Sequence, residues 1–118
     1  MLSFYALASL VVGGPLTLLG AYLCLRWWIF WRRNYAGKLL THGPYSRVRH
    51  PFYSAFLLLA VGLAILFTIM ETVMLATLSI VVILFYVKRE EAALLAQYGK
   101  AYREYMQKVP WRLIPGIY

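Results

Sequence analysis

The polar residues of this chain are gathered at a few places, and the stretches between them are almost wholly apolar. From Phe4 to Leu25 there is no charge, and only Arg26 interrupts the run before Arg32. In a helix that block is long enough to cross about 30 Å of hydrocarbon. The stretch from Pro51 to Val87 carries a single charge, Glu71. It is about twice as long as one crossing needs, which reads as two helices folded back at Met70-Glu71-Thr72. The pattern predicts an all-α integral membrane protein with about three transmembrane helices, over 4–31, 51–69 and 72–88, in a single membrane domain spanning 1–118. Residues 32–50 form a loop between the first two, broken by Gly37, Gly43 and Pro44.

From Lys88 to Gln107 the period changes. Leu94, Tyr98, Tyr102 and Tyr105 recur at helical spacing while Arg89, Glu90, Lys100, Arg103 and Glu104 occupy other faces. This predicts an amphipathic C-terminal helix over 88–108, continuing the third span and ended by Val109-Pro110. Periodicity alone favours a helix that lies on the membrane surface with its charges solvated. At the other end, proline suits the first position of a helix and biases its predecessor away from helical angles, so the second span is expected to open at Pro51, just after His50. Gly13-Gly14-Pro15 predicts a kink and a small-residue packing surface in the first span. Trp27, Trp28, Phe30 and Trp31 read as an aromatic belt at the membrane interface, with cofactor stacking the lesser reading, beside an Arg26 that snorkels toward the head groups.

Composition changes this picture little: 63% of residues are hydrophobic and 14% charged, against roughly 25% charged in a soluble domain. Charge placement adds topology. The loop holds Arg32, Arg33, Lys38, Arg47 and Arg49 without an acid, and the C-terminal part adds Lys88, Arg89, Lys100, Arg103, Lys108 and Arg112. The positive-inside rule puts both in the cytoplasm and the N-terminus outside. A net charge of +8 fits contact with anionic membrane lipids rather than nucleic acid, because the cations flank spans instead of forming a basic domain. The first block lacks a basic leader and a clear small-x-small site, so it reads as a retained span rather than a cleaved signal. Cys24 is the single cysteine and only His42 and His50 could join it as soft ligands, which argues against a metal centre. Neither a G-x-S-x-G elbow nor a phosphate-cradling G-x-x-x-x-G-K is present.

Two segments place polar residues where spans meet the cytoplasm: Gly43-Pro44-Tyr45-Ser46-Arg47-Val48-Arg49-His50-Pro51-Phe52-Tyr53 and Lys88-Arg89-Glu90-Glu91. A tight hairpin between the second and third helices brings the start of one beside the end of the other, so Arg49 and His50 are expected to face Glu90 across a shared pocket. The unpaired N–H groups at the Pro51 helix start would suit a carboxylate or phosphate. On charge alone, a ligand pocket and a self-neutralised helix end stand equal.

The string GPYSRVRHPFY, followed by EEAALLAQYGKAYREYMQKVP and then IP near the end of the chain, resembles the isoprenylcysteine carboxyl methyltransferase family, with phosphatidylethanolamine N-methyltransferases as relatives. The resemblance covers roughly residues 37 to 115. It implies a methyltransferase without a Rossmann domain that uses S-adenosyl-L-methionine, held between the last two spans and the C-terminal helix. It further implies cofactor contacts at Lys38, Leu39, Leu40, Tyr45, His50, Pro51, Phe52, Tyr53 and Glu90, and a membrane-associated or lipidic acceptor, a carboxylate of the isoprenylcysteine kind. No residue is assigned to catalysis; the substrate-side candidates are Tyr86, Arg89 and Glu91. Two features depart from the family pattern. Tyr86 stands where the prenylcysteine enzymes carry the arginine that pairs with the substrate carboxylate, and Lys88 and Arg89 are only nearby. One span precedes the motif region where members usually have more, which leaves the substrate channel incomplete or completed by a second copy in a homo-oligomer.

Competing readings are an amine or thiol methyltransferase of the same family, a small transporter, and a noncatalytic helical subunit. A transporter of this length would be expected to carry an ionisable residue within a span, and residues 4–31 hold no acid.

Overall fold

A computed structural model describes residues 3–118. Among them every regular element is helical: α1 over Phe4–Asn34, α2 over Pro51–Leu66, α3 over Met70–Tyr98 and α4 over Lys100–Lys108, with a short 3-10 turn at Gly43–Ser46. α1 and α3 are each long and apolar enough to cross a membrane, and α2 is a shorter apolar helix of 16 residues. The chain is an all-α membrane protein.

α1 starts where the Ser3 hydroxyl accepts the Ala6 N–H at 3.1 Å, satisfying one of the donors a helix start leaves free. It runs without interruption through Pro15 and ends three residues beyond the expected boundary, with Arg32 and Arg33 complementing its C-terminal dipole. The helix continues through Pro15, and the Thr17 hydroxyl donates to the Gly13 carbonyl there at 2.7 Å. α1 and α2 pack backbone to backbone. A Cβ added at Gly13 would collide with the backbone of Leu66, at Gly20 with that of Leu59, and at Gly62 with that of Thr17. Gly13 and Gly20 are seven residues apart, as are Leu59 and Leu66 that they face, so one antiparallel seam without side chains lets the two helices close on each other.

The turn between α2 and α3 falls at 67–69, slightly earlier than the hydropathy pattern suggests. Glu71 thereby enters the first turn of α3, where the helix dipole favours an acid. Because α3 is 29 residues long against 16 for α2, its last three turns project past the start of α2 and carry Glu90, Glu91 and Leu94 out of the apolar layer.

The expected single helix over 88–108 is two helices. α3 stops at Tyr98, and Gly99 turns the chain at φ +55°, a conformation only glycine adopts without strain. α4 then folds back, and the segment from Val109 onward returns to the start of α2, where the Arg49 N–H donates to the Trp111 carbonyl at 2.9 Å and the His50 N–H to the Arg112 carbonyl at 3.0 Å. The buried core is concentrated at this end. Tyr102, Tyr105 and Val109 form one cluster, and Ile83, Val87 and Leu113 another. Along the spans, large apolar side chains such as Leu18, Leu78 and Phe85 face outward, as a bilayer solvent permits.

Candidate active site

The start of α2, the end of α3, α4 and the loop after α1 enclose a cavity of about 390 Å³, within the range of small-molecule sites. All nine residues matched to cofactor contacts line it: Lys38, Leu39 and Leu40 from the loop, Tyr45 from the 3-10 turn, His50, Pro51, Phe52 and Tyr53 from the mouth of α2, and Glu90 from α3. Residues separated by as many as 52 positions thus meet because a long helix overshoots a short one.

Several walls lie outside the residues matched to cofactor contacts. Trp27, Trp31 and Tyr35 of α1 and its exit line the cavity. The tryptophans assigned above to an interfacial belt therefore divide: Trp28 is exposed, while Trp27 and Trp31 face inward. Trp27 stacks on Trp31 at 5.3 Å and Trp31 on Tyr35 at 4.1 Å between ring centroids. The Trp27 indole N–H donates to the Tyr45 hydroxyl at 3.0 Å, and the Tyr105 hydroxyl donates to the Tyr45 carbonyl at 2.7 Å, so Tyr45 is held from both sides. Leu94, Tyr98, Tyr102 and Tyr105, whose spacing by itself suggested a surface-lying helix, form the opposite wall. Only the i, i+4 recurrence of aromatic residues through 27, 31 and 35 signalled the first group.

Charge in the cavity is mixed, with Lys38, Arg49 and Glu90 on its lining. The Glu90 Oε2 and the Tyr102 hydroxyl are buried without a hydrogen-bond partner. Burial and the neighbouring Glu91 charge push the Tyr102 phenol above its usual range, so it remains a donor. Unpaired buried groups of this kind cost about 1–3 kcal/mol each, a cost that a ligand bearing hydroxyl or carbonyl groups removes.

The adjacent Glu91 lies elsewhere. It is only 3% exposed and lines neither this cavity nor the more open recess beside it, unlike the other two substrate-side candidates. One helical step turns its side chain toward the returning C-terminal segment. The His50 Nε2–H donates to Glu91 Oε2 at 2.8 Å, the Arg49 Nε sits 3.2 Å from the same oxygen without hydrogen-bond alignment, and the Arg112 Nε–H donates to Oε1 at 3.0 Å. Burial alone would raise the Glu91 carboxyl, but the His50 hydrogen bond and the charges of Arg49 and Arg112 outweigh it and hold the group below the usual carboxylate range.

The two other substrate-side candidates, Tyr86 and Arg89, line the open recess with Tyr53, Glu90 and Ala93. Tyr53 and Glu90 border both spaces, so the recess and the cavity share a wall.

Comparison with known proteins places this arrangement. Curated relatives include a probable protein-S-isoprenylcysteine O-methyltransferase of Oryza sativa, 40% identical over 61% of this chain and 38% of its own length. Protein-S-isoprenylcysteine O-methyltransferase B of Arabidopsis thaliana is 37% identical over 67% of this chain and 41% of its own length. The Schizosaccharomyces pombe protein-S-isoprenylcysteine O-methyltransferase is also 37% identical over 67% of this chain, matching 34% of its own length. The chain thus spans between about a third and two fifths of the length of these relatives. Residues 4–101 match the profile of the phospholipid methyltransferase family, and with isoprenylcysteine methyltransferases as its curated relatives the chain belongs to that family.

Proposed function

We propose that this protein is a membrane methyltransferase that takes its methyl group from S-adenosyl-L-methionine in the 390 Å³ cavity and delivers it to a lipidic acceptor, a carboxylate of the isoprenylcysteine kind, in the adjoining recess. The observation that carries this reading is the convergence on one cavity of the residues of two distant motifs, with a carboxylate oxygen and a phenol left unpaired in its wall.

The lining suits that donor. Glu90 would accept from ribose hydroxyls, the aromatic walls offer surfaces for an adenine, and the start of α2 with Arg49 beside it would hold the amino-acid carboxylate. When bound, the cofactor supplies a methyl group on a sulfonium that leaves as a neutral thioether. The chain's own contribution is then positioning and the exclusion of water, which can carry much of the rate of an in-line displacement without a strong base. Tyr53 and Glu90, common to both spaces, mark where donor and acceptor would meet. Arg89 is the cation in the recess, suited to an anionic acceptor in place of the family arginine that Tyr86 replaces. The loop and C-terminal cations support a site at the cytoplasmic rim with the N-terminus outside, open to molecules dissolved in the bilayer.

Calorimetry with S-adenosyl-L-methionine on the detergent-purified protein tests the donor. Binding is expected for the native chain and a loss of about tenfold in affinity for Glu90→Gln, the size of one charged hydrogen bond; no binding at millimolar cofactor overturns the reading. Methylation assays with a prenylcysteine and with phosphatidylethanolamine vesicles then separate acceptors. Product from the prenylcysteine, lost in Arg89→Ala, supports the carboxylate. Product from the amine lipid alone replaces it with an N-methyltransferase.

A further inference from the structure

Glu91 and Arg112 lie outside the cavity, yet both act on a residue inside it. His50 lines the cavity, and two contacts fix its position. Its backbone N–H donates to the carbonyl of Arg112 at 3.0 Å, and its ring Nε2–H donates to Glu91 at 2.8 Å. Arg112 is engaged in both: through its carbonyl directly, and through its guanidinium, which donates from Nε to the other Glu91 oxygen at 3.0 Å. Arg112 is itself steadied by the Tyr118 hydroxyl at 3.3 Å, and the segment is tied to α2 by the Ser54 hydroxyl, which donates to the Leu113 carbonyl at 2.6 Å.

We propose that Arg112 and Glu91 are positioning residues, through which the C-terminal segment sets both the orientation and the tautomer of the His50 ring in the cavity. An ionised carboxylate only accepts, so the ring nitrogen facing Glu91 must carry a hydrogen. In the neutral ring the proton is therefore on Nε2, and Nδ1, which has no protein partner among the described residues, is the acceptor left for a ligand N–H or O–H. With one glutamate oxygen held by Arg112, the carboxylate plane cannot turn, and the imidazole cannot flip without abandoning it. The proposal rests on the cofactor reading for its effect on binding but not for its effect on the ring.

Nitrogen NMR of the ligand-free protein in detergent reads the ring directly, with His42→Gln identifying the signal of the other histidine. The native chain should show His50 as a single Nε2–H tautomer when neutral. Arg112→Met and the isosteric Glu91→Gln should each give a tautomer mixture, with affinity for S-adenosyl-L-methionine reduced about tenfold, one hydrogen bond's worth. Arg112→Lys, which keeps the cation, should recover much of both. If Arg112→Met does not fold, Glu91→Gln carries the same test. A variant that melts earlier but retains the native tautomer and affinity reduces the pair to a structural role and overturns the proposal. Absence of cofactor binding in the native chain would overturn the donor assignment instead, leaving the tautomer result to decide the positioning claim.

Discussion

The two ends of this molecule are held together by opposite means. In the apolar half, α1 and α2 meet along Gly13, Gly20 and Gly62, where backbone touches backbone and large side chains are turned outward. In the polar half, the chain buries a carboxylate among two guanidinium groups and an imidazole and packs tyrosines into a core. The difference follows from solvent. Where lipid surrounds the helices, burying an apolar side chain against another gains little over burying it in lipid, so close approach of backbones decides association. Where water surrounds them, a core can form, and a charge that enters it is costly unless it is paired.

The largest effect should come from breaking the polar half. Glu91→Ala leaves Arg49, 8% exposed, without its counter-charge, and removal of one partner from a buried ion cluster costs about 3–5 kcal/mol. Denaturant titration in detergent should show this loss, and a cost below about 1 kcal/mol would mean that water reaches the cluster. The apolar half should break next: Gly20→Leu drives a side chain into the Leu59 backbone and is expected to cost about 1–3 kcal/mol. Its control is Gly14→Leu, where an added Cβ meets open space, with a shift within about 0.5 kcal/mol. Equal effects at the two glycines would remove the seam from the account.

Acid should reproduce part of the Glu91→Ala effect. The folded carboxyl titrates below its unfolded value of about 4.3, so its contribution is fully present above that pH and is lost as the pH falls through the lower folded value. Melting temperatures recorded from neutral to strongly acid pH should fall in that window, and Glu91→Gln should flatten the fall. The smallest effect belongs to the exposed Lys100–Glu104 pair, 3.8 Å apart: Lys100→Ala should change stability by no more than about 0.5 kcal/mol, a result that separates paired charges on the surface from those in the cluster.

The helical membrane architecture was legible because hydropathy reports directly on solvent, and the start of α2 because Pro51 can hardly sit elsewhere in a helix. The break at Gly99 was less so, since a glycine inside an amphipathic run is compatible with both a continuous and a divided helix. Among site residues, Glu90 and Glu91 show the limit most clearly. As neighbours in sequence they carry the same chemistry, but a helical step of about 100° sends one to the cavity and the other to Arg112, and only the position of the returning C-terminal segment decides which. Trp27 and Trp31 show a similar limit: a belt residue and a cavity residue at a span's end look identical until the neighbouring loop is placed.

The shortness of α2 has a consequence for the host bilayer. Sixteen residues rise about 24 Å, several ångström less than the usual hydrocarbon thickness, and the glycine seam against α1 gives α2 no freedom to shift along the membrane normal. A span this short is accommodated by local thinning of the bilayer or by its flanking residues, at fractions of a kcal/mol for each ångström of mismatch. Local thinning would lower the head-group plane toward Pro51 and shorten the path by which a lipid-borne molecule would reach the cavity mouth.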